Sequence, residues 1–296
     1  LFTSKIIMKN LNLFIKLIRL DKPIGFMLLF WPCIWGLTIA YNFDNGIEKF
    51  LYYAFLFFIG SVLMRSAGCI VNDIVDINFD KKVERTKNRP LPSNKITIVS
   101  AILLTLILCF FALIVLLQFN KLTIIMAILS MPLAFTYPLM KRFTYWPQLF
   151  LGITFNYGLL LGWTSIKNEI SLISILFYFG AIFWTLGYDT IYGYQDIKDD
   201  EIIGVKSTSI KFKNNPKIFI AICYSITILS FILIGNFMKF KMFYYLSLII
   251  PILHLYMYQL KKLEIKNELN CLKLFKSNNL FGLIFFLNIL VGKLNF

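Results

Sequence analysis

Two short clusters of acidic and amide side chains are the most chemically suggestive feature of this 296-residue chain. The members of the first cluster are Asn72, Asp73, Asp76 and Asp80. The members of the second cluster are Asp189, Asp196, Asp199 and Asp200. Several of these side chains are four residues apart, which places them on one face of a helix. Like charges at that spacing destabilise an isolated helix by about 0.2–0.5 kcal/mol, so we expect a bound cation to offset the repulsion.

Oxygen ligands of this kind suit Mg²⁺, which binds one or two carboxylates together with water and phosphate oxygens. A solvated acidic helix end is the alternative explanation for either cluster alone. Two clusters on one side of a membrane, each beside a basic loop, favour a Mg²⁺ site over that alternative.

Basic residues lie just beyond the apolar spans on the same side as the acidic clusters, and they are Arg85, Arg89, Lys141, Arg142, Lys198 and Lys206. Each one alone is explained as an ordinary basic residue of a cytoplasmic loop. Together with Mg²⁺ they would form a site for a diphosphate group. When diphosphate leaves an allylic carbon it leaves a carbocation behind, and aromatic rings can shield and stabilise that cation. Aromatic residues make up 17% of the chain, which is enough to line such a cavity.

Composition indicates which elements position these residues. Hydrophobic residues make up 58% of the chain and charged residues 15%, whereas a soluble protein has about 25% charged residues. Apolar stretches of about 20 residues, the length that crosses a bilayer, predict an all-α integral membrane protein with about nine transmembrane helices. The predicted spans are 24–42, 50–72, 97–119, 121–139, 147–166, 170–193, 216–236, 241–260 and 275–293.

The basic residues predict the orientation of these spans. The net charge is +15, and 23 of the 30 Lys and Arg residues lie on the side of the N-terminus and of the loops after the even-numbered spans. The positive-inside rule therefore places that side, with both acidic clusters, in the cytoplasm. Because the bases lie in short loops between apolar runs, the lipid bilayer is the expected partner and no nucleic acid is expected.

Other site types find little support. The chain has one histidine, His254, and its five cysteines form no CxxC pair, so a zinc site has almost no ligands. No small-residue cleavage site follows an early apolar core, so no cleavable signal peptide is expected. We expect a single transmembrane domain over residues 1–296, with 1–22 as an N-terminal segment on the cytoplasmic side.

Motifs occur in a characteristic order along the chain. The first runs Asn72-Asp73-x-x-Asp76-x-x-x-Asp80, followed by Arg85-Thr86 and Arg89-Pro90-Leu91. The next is Tyr137-x-x-x-Lys141. The last runs from Asp189-Thr190-x-Tyr192 through Asp196-x-x-Asp199-Asp200 to Gly204-x-Lys206-Ser207-Thr208. In this order the blocks resemble the signatures of the UbiA superfamily of intramembrane prenyltransferases.

Three further stretches narrow the resemblance to the branch that prenylates 4-hydroxybenzoate. They are Arg19-Leu20-Asp21-Lys22-Pro23-Ile24-Gly25, Arg65-Ser66-Ala67-Gly68-Cys69 and Lys141-Arg142-Phe143-Thr144-Tyr145-Trp146-Pro147-Gln148. The resemblance implies Mg²⁺-dependent transfer of a polyprenyl group from polyprenyl diphosphate to the ring carbon ortho to the hydroxyl of 4-hydroxybenzoate, in ubiquinone biosynthesis. It also implies nine helices around a lipid-open cavity, in the bacterial inner membrane or the mitochondrial inner membrane of a eukaryote.

The resemblance also assigns roles to individual residues. The implied ligands of the Mg²⁺–diphosphate are Asn72, Asp76, Asp196 and Asp200, supported by Asp73 and Asp80. The residues implied to grip the diphosphate are Arg85, Arg89, Lys141, Arg142 and Lys206. Tyr137 would lie near the forming cation, and Asp189 would orient or help to deprotonate the phenol.

An acceptor with a carboxylate needs a cation inside the membrane, because an unpaired buried charge is costly. Arg65 lies within span two, seven residues and about two helical turns before Asn72, so it is expected on the same side of the helix. Arg19, at the entrance to span one, is the other candidate. The alternative is that Arg65 pairs with a backbone carbonyl or an aspartate and only fixes helix packing.

Three other functions are alternatives to this one. The first is a superfamily member with another acceptor, such as homogentisate, a naphthoate or a chlorophyll precursor. The second is a CDP-alcohol phosphotransferase, whose expected Asp-Gly…Ala-Arg opening is absent. The third is a transporter, since acids within a membrane often mark ion pathways. Transporters usually place those acids near the midplane, whereas here they lie at span ends beside bases.

Overall fold

Nine apolar helices run through residues 12–294, the part of the chain that the computed structural model describes. They are α1 (Ile24–Ala40), α2 (Glu48–Val75), α3 (Ile98–Leu116), α4 (Lys121–Thr136), α5 (Pro147–Lys167), α6 (Leu172–Gly193), α7 (Pro216–Phe237), α8 (Met242–Leu260) and α9 (Glu268–Lys293). Eight of these helical segments within residues 12–294 are long and apolar enough to cross a membrane. The remaining helix, α1, has 17 residues and a length of about 25 Å, near the lower limit for a span.

The predicted all-α architecture with about nine spans is confirmed, and residues 12–294 contain no strand. Most predicted ends differ from the observed ones by a few residues. The exception is α9, which begins at Glu268 because a polar first turn precedes its apolar stretch. Of the predicted N-terminal segment, residues 1–11 lie outside the described part of the chain, as do residues 295–296.

Local sequence explains where the helices begin. Thr97, Asn120 and Ser171 precede α3, α4 and α6, and each side chain accepts a hydrogen bond from a backbone N–H in the first turn. Such a cap stabilises a helix by about 1 kcal/mol. Pro147 and Pro216 occupy the first positions of α5 and α7, where the missing N–H of proline removes no helical hydrogen bond.

The helices pack as a ring, with contacts across it between α1 and α5 and between α6 and α9. Around the ring α1 packs on α2, α2 on α4, α4 on α5, α5 on α6, α6 on α7, α7 on α8, α8 on α9 and α9 on α1, while α3 packs on α2. The more extensive of the contacts across the ring joins α1 to α5. A Cβ added to Gly36 would strike the backbone of Leu159, and one added to Gly162 would strike the backbone of Cys33. Glycine therefore lets the two backbones touch, and their contact divides the bundle into two halves.

The half formed by α1, α6, α7 and α9 is filled with aromatic side chains. Trp35 is fully buried, and its indole Nε1 donates to the carbonyl of Gly282 at 3.0 Å. The rings of Phe231 and Phe285 stack with centroids 3.7 Å apart, and the ring of Trp184 lies 4.9 Å from that of Trp35. This half is a solid core, so open space is left mainly in the half formed by α1 to α5.

The outer surface is apolar. Large hydrophobic side chains project outwards along α3, among them Val99, Leu103, Leu106 and Phe110, each at least 57% exposed. A soluble protein rarely carries so continuous an exposed apolar surface, whereas lipid tails solvate it. Together with the helix lengths, this surface makes the chain a multi-pass membrane protein.

Candidate active site

A polar cavity of about 340 Å³ opens at the end of the bundle where α2 and α6 finish. Both acidic clusters contribute to its wall. The acidic-cluster residues on the wall are Asn72, Asp76, Asp80, Asp189, Asp196 and Asp200. The sequence prediction that the two clusters face one another across a shared site therefore agrees with the geometry.

The backbone at the first cluster differs from a continuous helix. The helix α2 ends at Val75, and Asp76 has φ −100° and ψ 7°, which lies in the sparsely populated bridge region. A short helix, Ile77–Asp80, follows, and the backbone N–H of Asp80 donates to the carbonyl of Asp76 at 2.8 Å. The predicted single helical face is thus broken at Asp76, but the turn keeps Asn72, Asp76 and Asp80 on one wall.

The second cluster follows a similar break. The helix α6 ends at Gly193, and Asp196 is the residue before the short helix Ile197–Ile203. The backbone N–H of Asp200 donates to the carbonyl of Asp196 at 2.9 Å. This first helical turn places both carboxylates on the cavity wall.

Ion pairs connect the clusters to the loops that follow α2 and α4. The Nζ atom of Lys141 lies 2.5 Å from Oδ2 of Asp76. Arg85 makes a two-pronged contact with Asp196, with Nε to Oδ1 at 2.8 Å and Nη2 to Oδ2 at 2.5 Å. Paired hydrogen bonds of this geometry are the strongest that arginine makes with a carboxylate. The predicted bases and acids therefore lie together, and all four side chains belong to the cavity wall.

Asp73 has a different position from the other aspartates. It is 1% exposed and is not on the cavity wall. Its carboxylate accepts hydrogen bonds from Arg19 and, at 3.1 Å, from Arg89, which also donates to Asp80 at 2.9 Å. Arg19 adopts the left-handed backbone conformation with φ 54°, at a cost of about 1–2 kcal/mol that these ion pairs help to offset. Asp73 thus ties the segment before α1 and the loop after α2 to the end of α2.

Two observations show that the acidic residues fit a divalent cation. The Oδ1 atom of Asp76 is buried without a hydrogen-bond partner among the described residues, and a nitrogen of Arg142 is 3.8 Å away. Burial, followed by the neighbouring charge of Asp196, raises the pKa of Asp200 to about 6. A cation between the clusters would pair with Oδ1 of Asp76 and would favour the ionised form of Asp200.

No group of three His, Cys, Asp or Glu side chains within residues 12–294 is close enough to enclose a metal ion. Mg²⁺ does not require such a cage, because it keeps several waters and binds substrate phosphates through one or two protein carboxylates. The observed arrangement therefore suits a metal that arrives with a diphosphate.

Three predicted bases differ in their relation to the cavity. Lys206 lies on the wall and donates to the carbonyl of Phe143 at 3.2 Å. Arg142 is not on the wall, since it donates to the carbonyl of Val75 at 2.9 Å and lies 5.2 Å from the ring of Phe79. Lys198 is exposed and also off the wall. For Arg142 the geometry therefore favours a contact that holds the end of α2 over the predicted contact with diphosphate.

The deep end of the cavity contains Arg65, Tyr137 and Asp189. Within residues 12–294 the guanidinium of Arg65 has no hydrogen bond or ion pair, and it lies 5.3 Å from the ring of Phe155. Asp189 is close enough to Arg65 for their charges to interact. The alternative role for Arg65, a purely structural partner of a carbonyl or an aspartate, therefore has no hydrogen bond or ion pair behind it within residues 12–294, and Asp189 interacts with Arg65 only at longer range.

A second cavity of about 340 Å³ adjoins the first and is apolar. It lies among α1 to α5, and Arg65, Tyr137 and Phe155 belong to the walls of both cavities. Small side chains keep it open, among them Gly60, Ser61, Ala112, Ala127, Ser130 and Ala134. The polar site thus continues directly into a hydrophobic space within the membrane.

Sequence reasoning missed part of the aromatic wall. Phe275 of α9 lies on the cavity wall with its ring centroid 4.3 Å from that of Tyr192, whose hydroxyl accepts a hydrogen bond from Arg85 at 3.2 Å. Tyr188 also lines the cavity. Tyr192 falls inside a recognised motif, but the last third of the chain carries no motif, so no sequence signal singles out Phe275.

Comparison with known proteins finds relatives of this chain among prenyltransferases. The sequence profile of the UbiA prenyltransferase family matches residues 29–290. A rat protein named mitochondrial 4-hydroxybenzoate polyprenyltransferase is 41% identical over 287 residues, which cover 97% of this chain and 76% of the rat protein. A Coxiella burnetii protein named 4-hydroxybenzoate octaprenyltransferase is 36% identical over 282 residues, which cover 95% of this chain and 96% of that protein.

Solved structures share the fold. A UbiA homologue from Aeropyrum pernix K1 has a TM-score of 0.74 and 22% identity, covering 90% of this chain and 97% of its own. A UbiA homologue from Archaeoglobus fulgidus bound to GPP and Mg²⁺ has a TM-score of 0.69 and 16% identity, covering 95% of this chain and 98% of its own. The chain is an intramembrane prenyltransferase. It belongs to the UbiA prenyltransferase family.

The Asp73 network generates a stability prediction. Changing Asp73 to Asn should lower the free energy of unfolding by about 3–5 kcal/mol, because it leaves Arg19 and Arg89 partly buried without their shared carboxylate. The thermal midpoint of the detergent-solubilised protein measures this loss. The matched control is Glu84→Gln, whose pair with Lys87 is at the surface and should contribute under about 1 kcal/mol. Equal midpoints for the two variants would contradict the anchoring role of Asp73.

Proposed function

We propose that this protein transfers a polyprenyl group from polyprenyl diphosphate to the ring carbon ortho to the hydroxyl of 4-hydroxybenzoate, as a step of ubiquinone biosynthesis. The observation that carries the proposal is the junction of two cavities. One is a charged cavity lined by paired acids and bases, and the other is an apolar cavity that starts at its deep end. A substrate with a diphosphate head and a long hydrocarbon tail fits this combination. A single prenyltransferase domain over residues 1–296 accounts for both cavities.

The diphosphate head binds in the charged cavity. Asn72, Asp76, Asp196 and Asp200 would hold Mg²⁺, which would supply charge that stabilises the leaving diphosphate. Lys141 and Arg85, which here pair with Asp76 and Asp196, would then donate to phosphate oxygens. Arg89 and Lys206 add positive charge at the same wall, and Asp80 and Asp73 hold Arg89 in place.

The hydrocarbon tail binds in the apolar cavity among α1 to α5. Tyr137 and Phe155 stand at the junction of the two cavities, so the first carbon of the prenyl chain lies beside their rings. The bond between that carbon and the diphosphate oxygen breaks, and its electron pair leaves with the diphosphate. The ring faces of Tyr137 and Phe155 stabilise the allylic cation that results, and the surrounding apolar residues keep water from it.

The acceptor binds at the deep end of the charged cavity. Its carboxylate pairs with Arg65, the guanidinium that has no ionic partner among residues 12–294. Arg19, the second residue predicted to bind the acceptor, already donates to the carboxylate of Asp73, so it contributes to the cavity mainly through its charge. A ring carbon ortho to the hydroxyl donates the electron pair of the new C–C bond. The ring then loses the proton from that carbon to the departed diphosphate or to water, and Asp189 orients the phenol or accepts the proton of its hydroxyl.

The relatives support both substrates. The rat and Coxiella burnetii proteins are named for polyprenyl or octaprenyl transfer to 4-hydroxybenzoate, and the Archaeoglobus fulgidus homologue binds GPP and Mg²⁺. We place the protein in the bacterial inner membrane, or in the mitochondrial inner membrane of a eukaryote, with its active site on the cytoplasmic or matrix side. That side carries the excess of Lys and Arg.

Product analysis tests the reaction and the acidic site together. Membranes containing the protein, supplied with 4-hydroxybenzoate, a polyprenyl diphosphate and Mg²⁺, should form a ring-prenylated acid that mass spectrometry detects. Asp76→Ala should abolish the product while the protein still inserts, because the cation and Lys141 both lose their ligand. The matched control is Glu201→Ala, whose partner Lys213 is at the surface. Near-normal turnover by Asp76→Ala would contradict the two-cluster site. Prenylation of a different aromatic acid alone would reassign the acceptor.

Arg65→Lys tests the acceptor site. Arginine offers two parallel hydrogen bonds to a carboxylate, and lysine cannot reproduce them. The variant should raise the KM for 4-hydroxybenzoate about tenfold, with little change in the KM for the polyprenyl diphosphate. An increase only in the second constant would place Arg65 in the diphosphate site. If both constants are unchanged, Arg65 does not bind the acceptor.

Cysteine labelling tests the orientation. In a variant without the five native cysteines, a cysteine in place of the exposed Asn88 should resist an impermeant thiol reagent in intact cells. A cysteine in place of the exposed Glu169, in the loop between α5 and α6, should react readily. The opposite labelling pattern would reverse the proposed orientation and remove the supply of cytoplasmic substrate to the site.

A further inference from the structure

The guanidinium of Arg65 on α2 lies directly against the backbone of Gly25 on α1. A Cβ atom added to Gly25 would be 2.7 Å from Nε, 3.3 Å from Nη2 and 3.4 Å from Cζ of Arg65. A separation under 3.0 Å is shorter than Cβ contacts in real proteins allow. The space that a side chain of residue 25 would occupy is therefore taken up by the charged end of Arg65.

The backbone does not itself require glycine at this position. Gly25 is the second residue of α1 and is not among the residues with positive φ. In a helix, glycine is less favourable than alanine by up to about 1 kcal/mol. What glycine provides here is room for the tip of Arg65 on the cavity wall, to which both residues belong.

We propose that Gly25 is a positioning residue that sets the preference for an acceptor with a carboxylate. The inference rests on the proposed function, in which Arg65 binds that carboxylate. Gly25 leaves room for the guanidinium of Arg65 against α1, and its Cζ atom is 5.3 Å from the centre of the Phe155 ring on α5. Two helices thus hold a cation that has no ionic partner among residues 12–294, and its donors remain available to the acceptor.

The clash that alanine would introduce differs from the clashes at the helix contact between α1 and α5. At Gly36 and Gly162 an added Cβ strikes backbone atoms, which cannot move independently of the helix. At Gly25 it strikes the far end of a flexible side chain. Gly25→Ala should therefore displace the guanidinium of Arg65 and leave the helix packing intact.

The test is a double-mutant cycle with purified protein. Gly25→Ala should raise the KM for 4-hydroxybenzoate about tenfold, since it misplaces a charged hydrogen-bond donor. The KM for the polyprenyl diphosphate should stay unchanged, and the thermal midpoint should stay the same or rise, because alanine is the better helix former. Adding Gly25→Ala to Arg65→Gln should change the KM for 4-hydroxybenzoate less than twofold, because the group that Gly25 positions is already gone.

Other outcomes overturn the inference. An unchanged KM for 4-hydroxybenzoate in Gly25→Ala would show that Gly25 does not position Arg65. Equal increases in both KM values, additive effects in the cycle or a lowered thermal midpoint would assign Gly25 a structural role. If the unmodified protein forms no prenylated 4-hydroxybenzoate, the proposed function fails. If it forms the product but Gly25→Ala behaves like it, only this inference fails.

Discussion

Charge compensation across the mouth of the polar cavity is the interaction on which the site depends. The ends of α2 and α6 bring aspartates together in a partly buried setting, where unpaired carboxylates would repel one another and lose hydration. Lys141 and Arg85 offset that cost through ion pairs with Asp76 and Asp196. In the proposed function, Mg²⁺ would pair with the acids and the diphosphate would pair with the bases. A bound substrate could therefore replace the ion pairs that stabilise the site.

A second constraint is the direct contact between α1 and α5, which determines where space remains. Because Gly36 and Gly162 let those backbones touch, the bundle separates into a solid aromatic half and an open half. The aromatic half provides a rigid support, with Trp35 and Phe285 packed edge to face at 5.0 Å. The open half contains the apolar cavity that begins at Arg65, Tyr137 and Phe155. The charged cavity and the apolar cavity therefore meet at three residues that belong to both.

The aspartates of one motif divide into two roles. Asp73 is buried away from the cavity and joins the segment before α1 to the loop after α2 through Arg19 and Arg89. Asp76, three residues later, faces the cavity and keeps an oxygen without a hydrogen-bond partner among the described residues. The bend of the chain at Asp76 separates these directions. Two aspartates of one motif thus differ in position, one anchoring the end of α2 and the other lining the cavity.

The sequence by itself determined the class of the protein. The length of an apolar run is a local property, so nearly all span ends were predicted within a few residues. The clusters follow spans two and six, which are both even-numbered, so the sequence predicts them on the same side of the membrane. Tertiary structure decided the rest, because ion pairing depends on how helices pack. Lys141 and Asp76 are 65 positions apart, and Arg85 and Asp196 are 111 apart. Packing between distant helices also decides three other features, which no local spacing encodes. It places Phe275 on the cavity wall, the guanidinium of Arg65 against Gly25, and Arg142 off the cavity wall.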